Sequence, residues 1–310
     1  STLSPSSAAS DVYKRQILPG SFVTHFCRFH PLVYTCHNSD WTSGRRSFFL
    51  TAFRDVERYV MQRATAVIAI SRSLRKRIIE VGGINPEKVH LIPNGVDIRF
   101  FTPRVKSSEA LRDEMNLYDH KIILFVGRVT YMKGVDVLIR ALHQVVLHSD
   151  LNETTLLLVG PQASTFESSK SNRYVSWIKT LINKLGIADN VRFVGRVSNE
   201  TLRKLYSIAD VFVLPSRYEG MPLVILEAMA AGIPVVGSKV SGIVDVIEEG
   251  INGYSFDPEN YKKLGEILIN ILGDDNLRRR LGANSRMLAE KKYDWYIIAK
   301  KIKSLYESLT

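Results

Sequence analysis

The 310-residue sequence predicts a doubly wound α/β protein, on three observations. Its apolar runs are short and continuous, as in Ile122–Val126 and Val211–Leu214, where a strand with one wet face would alternate. Helix-length amphipathic segments separate these runs. The alternation of the two persists along most of the chain, which is the pattern of parallel strands covered on both faces. In such sheets ligands sit outside the carboxyl ends of the strands, so the residues that follow each apolar run are the place to look for chemistry.

Taken in order, residues 1–16 (STLSPSSAASDVYKRQ) are rich in Ser and Ala, show no hydrophobic period and read as an unstructured or non-native leader. Residues 17–105 are expected to form a first unit. In it Leu32–Tyr34 enters a strand that ends at Thr35, Cys36 and His37, and a polar helix runs from about Arg45 to Arg63. A strand at Ala66–Ile70 leads to a helix with Ser71 as its N-cap, and a strand at Val89–Ile92 is closed by the turn Pro93-Asn94-Gly95. The charged, uneven stretch from Arg104 to His120 reads as the linker into a second unit, residues 106–290.

In the second unit strands are predicted at Ile122–Val126, Thr155–Val159, Val191–Val194, Val211–Leu214, Val235–Gly237 and Tyr254–Phe256. Helices are predicted at Val135–Leu147, Tyr174–Leu185, Glu200–Ile208, Pro222–Ala231 and Ile243–Glu248. Residues 291–310 supply an amphipathic helix after Tyr293-Asp294-Trp295.

A composition of 45% hydrophobic and 24% charged residues is that of an ordinary globular protein with a sizeable core. The formal charge of +11 favours anionic partners: phosphorylated small molecules, acidic headgroups or nucleic acid. The densest basic stretch, Arg72–Arg77 (RSLRKR), falls on a predicted helix and reads first as a solvated face, with lipid-surface contact second. No run approaches the roughly 18 to 20 apolar residues that span a bilayer, and no export signal opens the sequence, so a soluble, unexported protein is expected. Cys27 and Cys36 lack the CxxC spacing of a zinc or redox site, which favours a reducing cytosol.

Two segments carry candidate chemistry. Gly127-Arg128-Val129-Thr130-Tyr131-Met132-Lys133-Gly134 joins a strand to a helix. A guanidinium grips two phosphate oxygens, an ammonium adds a point charge and a helix N-terminus adds its dipole, a combination suited to a diphosphate. Surface Arg and Lys beside glycines are common, so a plain loop fits as well. The stretch from Pro215 to Ala230 (PSRYEGMPLVILEAMA) is more specific. A strand ends at Leu214, and Pro222 suits the first turn of a helix, whose free amides can bind an anion. Glu219 lies at the helix mouth and Glu227 more than a turn inside, so one carboxylate can serve a sugar and the other a more distant hydroxyl pair.

On these residues the chain resembles glycosyltransferase family 4, a large group of retaining GT-B enzymes that use nucleotide-activated sugars. The matching segments are IPNGVDIRFF, ILFVGRVTYMKGVDVLIRAL, VRFVGRV, LYSIADVFVLPSRYEGMPLVILEAMAAGIPVVGS and EEGINGY, in order over most of Ile92 to Asp257. The resemblance implies a GT-B architecture, two Rossmann-like domains facing a cleft, with the N-terminal one incomplete and residues 291–310 crossing back onto it. Fewer residues precede His37 than a complete N-terminal domain of that family needs, so an N-terminally truncated chain is expected.

By the same resemblance Arg128 and Lys133 would bind the donor diphosphate and stabilise its charge as it leaves. Glu227 would accept the ribose hydroxyls and Glu219 would contact the transferred sugar. Backbone groups of Gly220, Met221 and Leu223 would approach sugar and phosphate, and Arg196 and Val197 would lie beside the base. His37 would reach the donor sugar from the first domain. Asn94 and Gly95 match an interdomain loop, although a plain turn explains them equally.

The implied reaction moves a sugar from a nucleoside diphosphate sugar to an acceptor hydroxyl with retention, through an oxocarbenium-like transition state stabilised by fixed charges. No Asp-x-Asp motif occurs, and neither a metal nor another cofactor is expected. The expected partners are a nucleotide-sugar donor and a glycan or lipid-linked acceptor, in polysaccharide, lipopolysaccharide or glycolipid synthesis. A cytoplasmic protein, peripheral at the inner face of the membrane, is compatible with this, and nucleic acid is not an expected partner. The alternatives are a catalytically incomplete nucleotide-sugar-binding fragment and a GT-B-fold nucleotide-sugar epimerase.

Overall fold

The computed structural model describes residues 31–37, 48–103, 105, 108–162 and 169–309. The leader at 1–16 and the start of the helix expected from Arg45 lie outside the described residues.

Two parallel sheets organise the chain. The first joins β1 (Val33–Cys36), β2 (Ala66–Ala69) and β3 (Val89–Leu91) in that order, through α1 (Phe48–Arg63) and α2 (Arg72–Glu80). Helix α2 starts where it does because Ser71 is extended and its hydroxyl accepts the Leu74 amide, one of the donors a helix leaves open at its start.

After α3 (Ser108–Glu114) come β4 (Lys121–Val126), α4 (Val135–Val146), β5 (Thr154–Val159), α5 (Ser169–Lys184), β6 (Val191–Gly195), α6 (Asn199–Ile208), β7 (Val211–Leu214), α7 (Leu223–Ala230), β8 (Val235–Ser238) and β9 (Gly253–Phe256). These six strands are parallel in the order β6-β5-β4-β7-β8-β9. Every residue of β5, β7 and β8 is buried, which is what continuous apolar strands sandwiched between helices require. The sheet is doubly wound α/β, with its order reversing between β4 and β7.

Two expectations about elements are corrected and one is filled in: within the linker α3 forms and packs on α6. Ile243–Glu248 is not a helix but a run of turns from Ser241 to Val246. Ile243, Val246 and Ile247 are buried at helical spacing, yet that spacing describes only one turn. Gly242, at φ +83°, brings this backbone so near Gly220 that an added Cβ would stand 1.8 Å from the Gly220 carbonyl oxygen. Pro222 is the extended N-cap of α7 and not its first helical residue.

Two further helices, α8 (Tyr261–Gly273) and α9 (Asp275–Leu288), went unassigned in the sequence. Side chains of Asn260 and Asp274 cap them, and Leu264, Leu268, Ile271 and Leu281 are their buried faces.

Helix α10 (Trp295–Glu307) returns to the first sheet. Val96 donates to the Tyr293 carbonyl at 2.8 Å and the Trp295 amide donates to Val96 at 3.1 Å. Ile298 and Leu305 then bury against Ala66, Ile68 and Ile92. Among the described residues no helix is long and apolar enough to cross a membrane.

Candidate functional site

The order reversal places the loops after β4 and β7 side by side at the carboxyl end of the sheet, where open α/β sheets hold ligands. The first loop tightens into a single turn, Tyr131–Lys133, ended by Gly134 in the left-handed region at φ +65°. Only glycine fits here, because a Cβ would lie 2.0 Å from the Pro215 carbonyl oxygen of the second loop.

The two loops meet in a charge pair. Lys133 Nζ donates to Glu219 Oε1 at 2.5 Å, and Ser216 Oγ donates to the same oxygen at 2.7 Å. Ser216 is itself fixed from below, since Ser238 Oγ donates to its carbonyl. Glu219 Oε2 has no partner among the described residues, so one carboxylate oxygen is fully engaged and the other open. The side chains of Lys133 and Glu219 keep 24% and 12% of their surface exposed, enough for a ligand to reach both.

Beside the pair lies Arg217, which sequence reading passed over. Its Nη1 and Nη2 donate to Asp136 Oδ1 and Oδ2 at 2.9 and 2.8 Å, and its Nε and Nη2 donate to Glu259 at 2.5 and 2.7 Å. Nη1 also donates to the Tyr131 carbonyl, and the guanidinium stacks 3.8 Å from the centre of the Tyr131 ring. The Arg217 amide donates to Met132. Asp136 receives a further hydrogen bond of 2.6 Å from the Tyr174 hydroxyl. Burial works to raise its pKa, but Arg217 and Tyr174 outweigh it and hold the carboxyl below its ordinary range.

The signal for this cluster was a lone acid, Asp136, in the apolar opening of α4 (VDVLI).

Helix α7 begins at Leu223 with no side-chain cap on its first amides, so an anion at its mouth would find free donors. One turn further in, Glu227 Oε2 accepts from the Tyr206 hydroxyl at 2.9 Å. Desolvation raises Glu227 from an ordinary 4.5 to about 7, against the opposing hydrogen bond from Tyr206. The Tyr206 hydroxyl also lies 3.1 Å from the Val224 carbonyl oxygen, sharing its one proton between the two acceptors, and the residue is wholly buried between α6 and α7.

Met221 is buried and Leu223 half exposed. Arg128 and Arg196 are exposed just beyond β4 and β6, and Val197 packs partly on the core.

The first sheet approaches the same loop. Asn94 Nδ2 donates to the Met221 carbonyl at 2.9 Å, and the Asn94 amide lies 3.4 Å from Met221 Sδ. The Ser73 amide of α2 donates to Asp245 at 3.0 Å. Asn94 is therefore a contact between the halves and more than a turn residue. His37 directly follows β1 of this first sheet, and burial lowers it from 6.5 to about 4, leaving a neutral imidazole near pH 7. The structure thus unites Lys133, Glu219, Met221 and α7 directly, with Arg128 and Arg196 on the same sheet edge and His37 on the other sheet.

A protein-family model described as glycosyl transferases group 1 matches residues 107–288, and one for Glycosyltransferase Family 4 matches residues 17–100. The chain belongs to the glycosyl transferases group 1 family. This glycosyltransferase is 31% identical over 293 residues to an uncharacterized glycosyltransferase of Methanocaldococcus jannaschii, covering 93% of this chain and 72% of that one. It is also 31% identical over 294 residues to D-inositol 3-phosphate glycosyltransferase of Xylanimonas cellulosilytica, covering 90% and 67%.

Among solved structures, HepE of Anabaena in complex with UDP-glucose superposes with a TM-score of 0.83 at 25% identity, covering 94% of this chain and 76% of that one. Sucrose-phosphate synthase of Thermosynechococcus elongatus gives 0.82 at 28%, covering 94% and 72%. The glycosyltransferase therefore has the GT-B α/β fold of those structures.

Proposed function

We propose that this glycosyltransferase takes a nucleoside diphosphate sugar as donor and passes the sugar to an acceptor hydroxyl with retention at the anomeric carbon. The observation that carries the reading is the Lys133–Glu219 pair, a cation and a carboxylate from two loops meeting at the sheet's order reversal beside an uncapped helix.

In this reading the diphosphate lies between Lys133, Arg128 and the first amides of α7, so its growing charge meets fixed positive ends. Glu219 Oε2 accepts a hydroxyl of the sugar. Glu227 accepts the two ribose hydroxyls once ionised, Arg196 and Val197 flank the base, and the Gly220, Met221 and Leu223 backbone lines sugar and phosphate. Neutral His37 offers a hydrogen bond to the sugar from the first domain.

The bond from the anomeric carbon to the phosphate oxygen breaks as the acceptor oxygen bonds to the same face. The acceptor's proton passes to the departing phosphate. The reading assigns no metal or other cofactor, since cationic side chains and amides supply the stabilisation. A glycan or lipid-linked acceptor in cell-envelope synthesis, and a cytoplasmic site peripheral to the inner membrane face, complete the proposal.

Support for the donor class comes from the likeness to HepE, whose structures hold UDP and UDP-glucose. The test is calorimetry with UDP, GDP and ADP, then turnover of UDP-glucose, GDP-mannose and ADP-glucose with NMR assignment of the product anomer. Binding and a retained anomer are expected. Binding without turnover selects the alternative of a donor-binding chain that does not transfer, and an inverted anomer overturns the stereochemical assignment.

A further inference from the structure

We infer that Arg217 is a positioning residue for transfer, acting through Lys133: it clamps the loop after β4 to the loop after β7 so that Lys133 is held at the diphosphate site. The inference rests on the donor reading above and adds a residue that the reading does not use.

The geometry is that of a clamp. Residues 136 and 217 are 81 positions apart in sequence and belong to the two loops, or their helix start, on either side of the order reversal. Arg217 joins them by a two-pronged bond to Asp136, by its side chain to the Tyr131 carbonyl and by its amide to the Met132 carbonyl. Two successive carbonyls of the turn that ends in Lys133 are thus tied to one residue, and Lys133 closes the circuit by reaching Glu219, two positions beyond Arg217.

The clamp is braced from a third direction. Glu259 takes a left-handed backbone conformation at φ +70°, one that a glutamate seldom adopts, while both its oxygens accept from Arg217. With 10% of its side chain exposed, Arg217 is not placed to meet a substrate, which separates it from the exposed Arg128.

Lysine in place of Arg217 keeps the charge but cannot span Asp136, Glu259 and the Tyr131 carbonyl at once, because the ammonium lacks the planar fork. The turn would then rock on Gly134, and the Lys133 ammonium would leave its place by a fraction of its reach. A displacement of about 1 Å at a reacting centre costs on the order of 100-fold in rate.

The test is a double-mutant cycle in the full chain. Wild type, Arg217→Lys and Glu259→Gln, each alone and combined with Lys133→Ala, are titrated with UDP, GDP and ADP and turned over with UDP-glucose, GDP-mannose and ADP-glucose. With Lys133 present, Arg217→Lys should lower kcat about 100-fold and weaken diphosphate binding about tenfold. With Lys133 replaced by Ala, the same change should move neither by more than about twofold, because the residue acts through the lysine. Glu259→Gln alters a carboxylate with 57% of its side chain exposed, so the fold tolerates it, and it should show the same dependence at about fivefold.

Equal losses with and without Lys133 overturn the proposal, and the Glu259→Gln arm decides it if Arg217→Lys fails to fold. A wild-type chain that binds none of the three diphosphates sinks the donor reading and this proposal with it, whereas binding with an additive cycle sinks this proposal alone.

Discussion

Two carboxylates eight positions apart meet different surroundings. Glu219 shares one oxygen with Lys133 and Ser216, whereas Glu227 sits against Tyr206 in a poorly solvated pocket and rises to about 7. The raised group fixes a sign. Between 4.5 and about 7 the folded chain holds a proton that the unfolded chain has released, so this group makes stability fall as pH rises through that window. Thermal melts across that range should lose part of their downward slope in Glu227→Gln. Donor affinity should move the other way, rising with pH through about 7 as the carboxylate proposed to accept the ribose hydroxyls forms, and the Gln variant should show a flat profile. Lys133→Ala should cut kcat by about 100-fold or more, since it removes the cation nearest the leaving charge, and an unchanged rate would sink its assigned role.

At the scale of elements, one glycine holds the two loops of the candidate site together. Gly134→Ala adds a Cβ where the Pro215 carbonyl already stands at 2.0 Å and at a φ of +65°, so both steric and backbone strain act on the turn that carries Lys133. Melting should drop by about 1–3 kcal/mol of stability, and turnover should fall with it. Helix α10 invites a separate measurement. Ile298→Ala empties a fully buried position against Ala66 and Ile68 and should cost about 2–4 kcal/mol in chemical denaturation.

Strand positions were readable to within a residue because β4, β5, β7 and β8 each carry a continuous apolar run with buried residues on both faces, with polar or small residues only at their ends. The segment Ile243–Glu248 misled because one turn of i, i+3, i+4 burial is common to a helix and to a chain of turns. Helices α8 and α9 were legible in principle, with caps at Asn260 and Asp274 and a helical apolar period behind each.

Across the whole molecule, what the sequence could not show is what folding brings from afar. Lys133, Glu219 and Glu227 stand out because each follows a strand or enters a helix that the sequence marks. Tyr174 and Glu259 do not, and Asp136 shows only as a lone acid opening α4, since their meaning comes from Arg217, which lies 43, 42 and 81 positions away. Tyr206 was hidden for a like reason, as a buried aromatic reads as core until its hydroxyl is seen on Glu227. The basic surface remains a whole-molecule property. With a formal charge of +11, binding to vesicles of anionic lipid should weaken steeply between 50 and about 200 mM salt if the membrane-face placement holds, and salt-independent binding would remove it.

The hydrogen bond from Asn94 to the Met221 carbonyl makes the connector between the sheets a listener at the loop after β7. A ligand that stiffens residues 219–223 should, through this bond, also stiffen the connector that meets them. A protease that nicks the connector near Asn94 should therefore work more slowly when UDP fills the cleft, and Asn94→Ala should uncouple the rate of nicking from the nucleotide.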